Sequence, residues 1–182
     1  MGVDKIEEKV KIPEGVEVEI DKFKVKVKGK LGETERNFYN RGVANILKFE
    51  KLDGEIKIII EKGGAKGKAL MGTIKKHLLN LFKGVSEGFE YKLKVIYTHF
   101  PISVEFKDNE FIVKNFLGQK DVKKIKIPKD VEIDISKDEI KVFGINKELA
   151  GQVAANLERL TKLTKRDRRK FQDGIFIFEK PK

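Results

Sequence analysis

A pattern of strands and a helix that occurs twice in the same order is the feature that most limits how this chain can fold. VKVKGKLGE (25–33) matches FIVKNFLGQ (111–119), EIKI (55–58) matches EIKV (139–142), and KALMGTIKKHLLNL (68–81) matches KELAGQVAANLERL (147–160). Collinear matches of this kind are expected when one structural module has been duplicated. The sequence therefore predicts two modules, residues 1–88 and 89–182, joined at GVSEGF (84–89).

A longer ungapped match, between residues 11–29 and 126–144, suggests a different repeat. It stops where a module should continue, because LGETERNF follows Gly29 whereas a helix pattern follows Gly144. Both stretches alternate apolar and polar residues, as hairpin strands do, and such hairpins resemble one another without common origin. The collinear interpretation is therefore preferred.

Each module is predicted to combine strands with one helix, because period-2 alternation gives way to apolar residues at helical spacing. The predicted fold is α+β, with two tandem duplicated modules, each a mostly antiparallel β-sheet with one helix packed on one face. Gly72 and Gly151 occupy the same place in the two helices, which favours close approach of each helix to its sheet. The hairpin connections at 21–22, 107–109 and 136–138 lack Asn-Gly, so slightly longer turns are expected. The two apolar stripes are Leu70, Ile74, Leu78 and Leu81, and Leu149, Val153, Leu157 and Leu160.

Composition excludes several classes of protein. The 182 residues, 40% of them hydrophobic, are enough to form a packed core. No apolar run is long enough to cross a bilayer or to act as a signal peptide, so a soluble, intracellular protein without membrane contact is expected. The absence of Cys removes disulfides, thiolate nucleophiles and Cys-based zinc sites. The net charge of +11 makes a polyanion the leading class of partner.

Two candidate catalytic or ligand sites fail closer inspection. EKGGAKGK (61–68) is rich in Gly and Lys, but Lys62 and Ala69 fill the positions where a P-loop needs Gly and Ser or Thr, so a flexible solvated loop is expected. His77 borders an apolar stripe and His99 ends a strand, without any recognisable catalytic or metal motif. We therefore expect no enzyme activity, no cofactor, no metal and no small-molecule ligand.

A basic segment near the C-terminus is the leading candidate site. KRDRRKFQDGIFIF (165–178) places Arg and Lys directly before an aromatic and aliphatic strand pattern, and residues 162–182 carry a net charge of +5. Arg suits bidentate phosphate contact, and Phe171 offers a hydrophobic anchor or a stacking face. A turn at Asp173-Gly174 is expected to hold the arginines in place. The candidate RNA-binding residues are Lys165, Arg166, Arg168, Arg169, Lys170 and Phe171, with Lys120, Lys123 and Lys124 added on charge alone.

The sequence resembles the large-subunit ribosomal protein six family in its archaeal and eukaryotic form. GTIKKHLLNLFKGVSEGF (72–89) is similar to the family signature around the first helix, and RRKFQDGIFIFEK (168–180) is similar to its C-terminal motif. Phe176 stands where Tyr is common in that motif. Together with the duplication, the two motifs cover nearly the whole chain.

The resemblance implies a cytoplasmic, ribosome-bound structural protein. It would bind large-subunit ribosomal RNA mainly through the second module and its basic tail, near the sarcin-ricin loop region where translation factors dock. Neighbouring large-subunit ribosomal proteins would be partners, particularly of the first module, and translational GTPases would be indirect ones. Two other hypotheses remain open at this point: an RNA-processing enzyme that depends on His77 or His99, and a protein-interaction scaffold whose charge serves solubility.

Overall fold

The computed structural model describes residues 5–61, 64–98, 100–163, 167 and 169–181. The chain forms two compact units, Met1–Gly88 and Phe89–Lys182. None of the helices in the described part of the chain has the length and apolarity needed to span a membrane.

Within the described residues, each unit has six strands followed by one α-helix, and the second unit has one further strand. The first unit contains β1 (Ile6–Lys11), β2 (Glu17–Asp21), β3 (Lys24–Gly29), β4 (Gly32–Asn37), β5 (Leu47–Leu52), β6 (Glu55–Ile60) and α1 (Gly64–Ser86). The second contains β7 (Phe89–Ile96), β8 (Ser103–Lys107), β9 (Glu110–Lys114), a 3₁₀ turn (Phe116–Gly118), β10 (Lys123–Lys126), β11 (Val131–Ser136), β12 (Glu139–Gly144), α2 (Lys147–Leu160) and β13 (Gly174–Glu179).

The strands form two small antiparallel sheets in each unit. Their strand orders are β1-β6-β5 and β2-β3-β4 in the first unit, and β11-β12-β7-β13 and β10-β9-β8 in the second. The predicted α+β class with tandem duplicated modules is confirmed, but each helix packs against strands of both sheets rather than against a single sheet. Alternation along a strand shows which face is buried and does not show which strand lies beside it.

The collinear alignment matches elements that hold equivalent places. β3 and β9 are each the central strand of a three-stranded sheet, and β6 and β12 are each the strand before the helix. The longer match pairs the β2–β3 hairpin, whose neighbour in the sheet is β4, with the β11–β12 hairpin, whose neighbour in the sheet is β7. That match therefore joins hairpins that hold different places in the two units, which agrees with the preference for the collinear alignment.

The prediction of longer hairpin turns was wrong. Two residues join the strands in each of the hairpins β2–β3, β8–β9 and β11–β12. The last strand pairs before the turns are Asp21 with Lys24, Lys107 with Glu110 and Ser136 with Glu139. In the β8–β9 turn Asp108 and Asn109 adopt φ of 54° and 60°, the left-handed pair that a type I′ turn requires. Asp and Asn tolerate this conformation well enough to replace Asn-Gly.

Both helices bury the middle of the predicted apolar stripes, while Leu70, Leu149 and Leu160 are half-buried, and α1 is longer than predicted. It begins at Gly64, so most of the segment expected to be a loop (61–68) is helical, and it continues to Ser86. α2 begins after Asn146, whose side chain accepts hydrogen bonds from the amides of Glu148 and Leu149 at 2.9 and 3.3 Å.

The two equivalent helix glycines face different surroundings. A Cβ built on Gly151 would lie 2.7 Å from the Tyr91 hydroxyl oxygen, so α2 approaches its sheet as predicted. Burial raises the pKa of that phenol, whose hydroxyl donates to the Lys147 carbonyl at 3.3 Å. A Cβ built on Gly72 would meet no atom within 4 Å among the described residues, so the prediction for α1 was wrong. In the first unit the close contact is made by the strand residue Gly29, where a Cβ would lie 2.8 Å from the Val85 carbonyl oxygen.

Two side chains fix β13 against the rest of the second unit. Thr161, buried just beyond α2, accepts a hydrogen bond from the amide of buried Ile175 at 2.8 Å and donates to the Glu158 carbonyl at 3.3 Å. Asp173, which is 5% exposed, accepts from the Thr98 amide at 2.8 Å. The chain is therefore fixed on both sides of the segment that connects α2 to β13.

Substitution of the two helix glycines by alanine should give opposite results. Gly72→Ala should raise the free energy of unfolding by up to about 1 kcal/mol, because Ala forms helix better than Gly. Gly151→Ala should lower it by about 1–3 kcal/mol, because overpacking against Tyr91 outweighs that gain. Urea denaturation of the full chain measures both, and Tyr91→Phe should reduce the penalty at Gly151. Equal stabilisation by the two alanines would contradict the packing described for α2.

Loss of the Thr161 hydroxyl should weaken the attachment of β13. Thr161→Val should cost about 1–3 kcal/mol, because the buried Ile175 amide is left without an acceptor. Thr161→Ser keeps the hydroxyl and is the matched control, for which we expect a smaller loss. Urea denaturation and amide hydrogen exchange at Ile175 are the measurements. Unchanged exchange at Ile175 in the valine variant would show that the hydrogen bond is not what fixes the strand.

Candidate nucleic-acid interface

The C-terminal segment, residues 162–173, connects α2 to β13 and contains most of the predicted RNA-binding residues. Lys165, Arg166 and Arg168 lie outside the described residues. The Arg169 side chain is 94% exposed, and Lys170 is also exposed. The cationic side chains of Arg169 and Lys170 can therefore contact a partner without a prior conformational change.

Asp167 organises the turn that presents these two cations. Its carboxylate accepts from the Arg169 amide at 2.9 Å, and its carbonyl accepts from the amides of Lys170 and Phe171 at 3.1 and 3.0 Å. Local side-chain acceptance of this kind is a known role of Asp in turns. Sequence reasoning counted Asp167 only as a negative charge, although an Asp two residues before Arg169 is a recognisable turn signal.

The predicted turn at Asp173-Gly174 is not present. Asp173 instead makes the hydrogen bond to Thr98, and Gly174 is already the first residue of β13, paired with Ile96. The turn occupies Arg169 and Lys170. A buried acceptor at Asp173 fixes the far end of the segment more firmly than a solvated turn would, since buried hydrogen bonds are costly to break.

Phe171 lies beside a cleft of about 660 Å³ at the base of the C-terminal segment. The side chain is half-buried, which supports the predicted role of hydrophobic anchor over that of an open stacking face. Two exposed cations that the sequence analysis did not select, Arg159 and Lys162, also line the cleft. They could have been found from their position at the end of the α2 pattern, directly before the basic segment. The apolar walls include Leu163, Ile175 and Phe176.

The three lysines chosen from residues 116–127 differ in their surroundings. Lys120 and Lys124 are exposed. The Lys123 ammonium donates to the Leu160 carbonyl at 2.9 Å and lies 4.5 Å from the centre of the Phe116 ring. A cation at the C-terminal end of a helix is stabilised by the carbonyls there. Lys123 therefore joins β10 to the end of α2, next to the start of the C-terminal segment.

The histidine that the structure describes, His77, lies beside an arginine and an aromatic ring. An Arg36 guanidinium nitrogen lies 3.3 Å from His77 Nε2, and the imidazole is half-buried near the Phe38 ring. His99 lies outside the described residues. Among the residues that the structure describes, no cluster of His, Asp and Glu could hold a metal ion.

Comparison with known proteins identifies the family. The family model described as Ribosomal protein L6 matches residues 12–88 and 100–174. The chain is 47% identical over 179 residues to the large ribosomal subunit protein uL6 of Staphylothermus marinus. The aligned region covers 96% of this chain and 94% of the relative. It is 43% identical over 176 residues to the protein of that name from Aeropyrum pernix, covering 95% and 93%. For the Methanosarcina mazei protein the identity is 42% over 178 residues, covering 98% and 99%.

The two family matches fall one in each unit, and the relatives align with nearly the whole chain. The duplication detected in the sequence, the repeated element order of the two units and these matches agree. The chain belongs to the ribosomal protein L6 family.

Proposed function

We propose that this protein is a structural, non-catalytic component of the large ribosomal subunit that binds large-subunit ribosomal RNA. Family membership supports the ribosomal location, because the similar proteins are named as large ribosomal subunit proteins. It also gives a cytoplasmic, ribosome-bound site of action. The observation that carries the RNA contact is the Asp167 turn, which exposes Arg169 and Lys170 on a segment fixed at both ends.

The second unit would bind the RNA backbone rather than base edges. Arg forms bidentate contacts with phosphate, and Lys contributes point charge, so a cluster of both neutralises phosphates and releases counterions. Lys165, Arg166 and Arg168 belong to the same cluster in the sequence. Lys120 and Lys124 would add further phosphate contacts. Lys123 and Phe171 would act indirectly, by holding α2 and the C-terminal segment in place.

The finer location rests on the family resemblance described above. We place the second unit near the sarcin-ricin loop and the region where translation factors dock. Neighbouring large-subunit ribosomal proteins would contact the remaining surface, and translational GTPases would be affected indirectly, through the RNA that the second unit supports.

Removing the exposed cations of the C-terminal segment should weaken RNA binding and its salt dependence. For Arg169→Ala/Lys170→Ala we expect a slope of log K against log salt lower by up to about 0.9 per lost phosphate contact. Adding Arg166→Ala and Arg168→Ala should lower the slope further. Titration of the full chain with purified large-subunit ribosomal RNA at several salt concentrations measures this.

A matched pair of lysines provides the control. Lys107 and Lys129 are exposed in the second unit and lie outside the proposed interface, so Lys107→Ala/Lys129→Ala removes the same charge and should leave the slope unchanged. An unchanged slope in the Arg169/Lys170 variant would remove those residues from the interface. Absence of binding by the unsubstituted protein at physiological salt would instead favour the scaffold hypothesis.

A further inference from the structure

The helix of the first unit carries positive charge without any negative charge. α1 contains five lysines across 23 residues and neither Asp nor Glu. In α2, at the equivalent place in the second unit, Lys147 and Arg159 are balanced by Glu148 and Glu158. The two helices share a buried stripe but not an outer face, so the charge of α1 is not required by the module itself.

Most lysines on the strands of the first unit are neutralised, and three on α1 are not. Lys24 pairs with Glu35 at 2.8 Å and Lys26 pairs with Glu33 at 3.0 Å. On α1, Lys75 pairs with Glu8 at 3.0 Å. Three exposed lysines of α1 make no ion pair with any residue in the described part of the chain, and their charge is available to an external partner. They are Lys66, Lys68 and Lys76.

These lysines lie beside a row of small residues on the outer face of α1. The buried residues of α1 include Met71, Ile74 and Leu78, and helical spacing places Ala65, Ala69 and Gly72 on the opposite side. Those three residues are exposed. Residues four apart lie in one row along a helix, so Lys68 and Lys76 stand one turn before and one turn after Gly72. A partner could therefore come close to the helix backbone between the two ammonium groups.

No contact with a described residue explains the glycine at position 72. It is exposed in the interior of a helix, where Gly costs about 1 kcal/mol relative to Ala. A Cβ there would meet no described atom within 4 Å, unlike the Cβ that would strike Tyr91 at Gly151. Close approach by a molecule outside the chain would account for a residue that has no Cβ at this position.

We propose that the outer face of α1 is a second docking surface for large-subunit ribosomal RNA, which contacts the phosphate backbone through Lys66, Lys68 and Lys76 and approaches the helix at Gly72. The choice of RNA rests on the proposed function, but the surface lies in the other unit and uses different residues. A protein partner fits less well, because Leu79, 42% exposed, is the one large apolar side chain that α1 exposes, and protein interfaces depend on buried aromatic and apolar anchors.

The experiment compares two triple variants of the full chain that lose equal charge. Lys66→Gln/Lys68→Gln/Lys76→Gln removes the lysines of the outer face, and Lys24→Gln/Lys26→Gln/Lys57→Gln removes lysines that pair with Glu in the same unit. We expect the α1 variant to bind purified large-subunit ribosomal RNA at least about tenfold more weakly, with a slope lower by up to about 0.9 per lost contact. The strand variant should retain the affinity and slope of the unsubstituted protein.

Gly72→Gln tests the close approach separately from charge. Gln forms helix better than Gly, so urea denaturation should show a chain at least as stable, while the longer side chain should weaken RNA binding by about threefold or more. Weaker binding by a more stable protein cannot come from unfolding. Unchanged RNA binding in this variant would exclude contact at Gly72.

The remaining outcomes separate this proposal from the proposed function. If the α1 triple variant binds RNA normally while the Arg169/Lys170 variant does not, the α1 surface is excluded and the C-terminal interface stands. If neither variant changes RNA binding, both surfaces are excluded as RNA contacts, whereas the proposed function itself fails only if the unsubstituted protein does not bind the RNA at physiological salt. If the α1 variant binds purified ribosomal RNA normally but no longer co-sediments with large subunits, α1 contacts an acidic protein surface, and the proposal of an RNA contact is wrong.

Discussion

The antiparallel pairing of β13 with β7 is the constraint on which the second unit depends. β7 is flanked by β12 on one side and β13 on the other, and its inward residues Phe89, Tyr91, Leu93 and Val95 are all buried. Because β13 pairs with the edge of β7 that β12 leaves open, the C-terminal segment has to bring the chain from the end of α2 to that edge. Arg169 and Lys170 lie on that segment, so strand pairing decides where their charge is displayed.

The C-terminal segment is held at both ends by buried hydrogen-bond acceptors and in the middle by a local turn. Thr161 and Asp173 accept backbone amides on either side, and Asp167 accepts three amides within the segment. A cation that is already ordered loses less side-chain and backbone entropy on binding than a cation on a free tail. Less of the binding free energy gained from phosphate is then spent on ordering it. The second unit thus has the elements of the first unit with β13 and the C-terminal segment added.

Charge is arranged differently on strands and on helices in this chain. On the strands of the first unit, lysines and glutamates face each other across neighbouring strands and largely cancel. Exposed pairs of this kind contribute roughly 0–1 kcal/mol each, so their chief effect is to remove net charge from that face. Lys66, Lys68 and Lys76 on the outer face of α1 have no such partner among the described residues. On the C-terminal segment the Arg169 guanidinium lies 3.8 Å from the Asp167 carboxylate, but its side chain remains 94% exposed.

The sequence by itself determined the duplicated α+β organisation, the buried stripes of both helices and the position of the basic segment, because these depend on periodicity and composition within short stretches. Tertiary structure alone decided that each unit has two sheets, that Gly151 meets Tyr91 while Gly72 faces outward, that Asp173 accepts a hydrogen bond from Thr98 instead of forming a turn, and that Lys123 binds the end of α2. Each of these depends on which distant segments come together. Alternation and helical spacing report the face a residue occupies, and the neighbour on that face is chosen by packing across the whole unit.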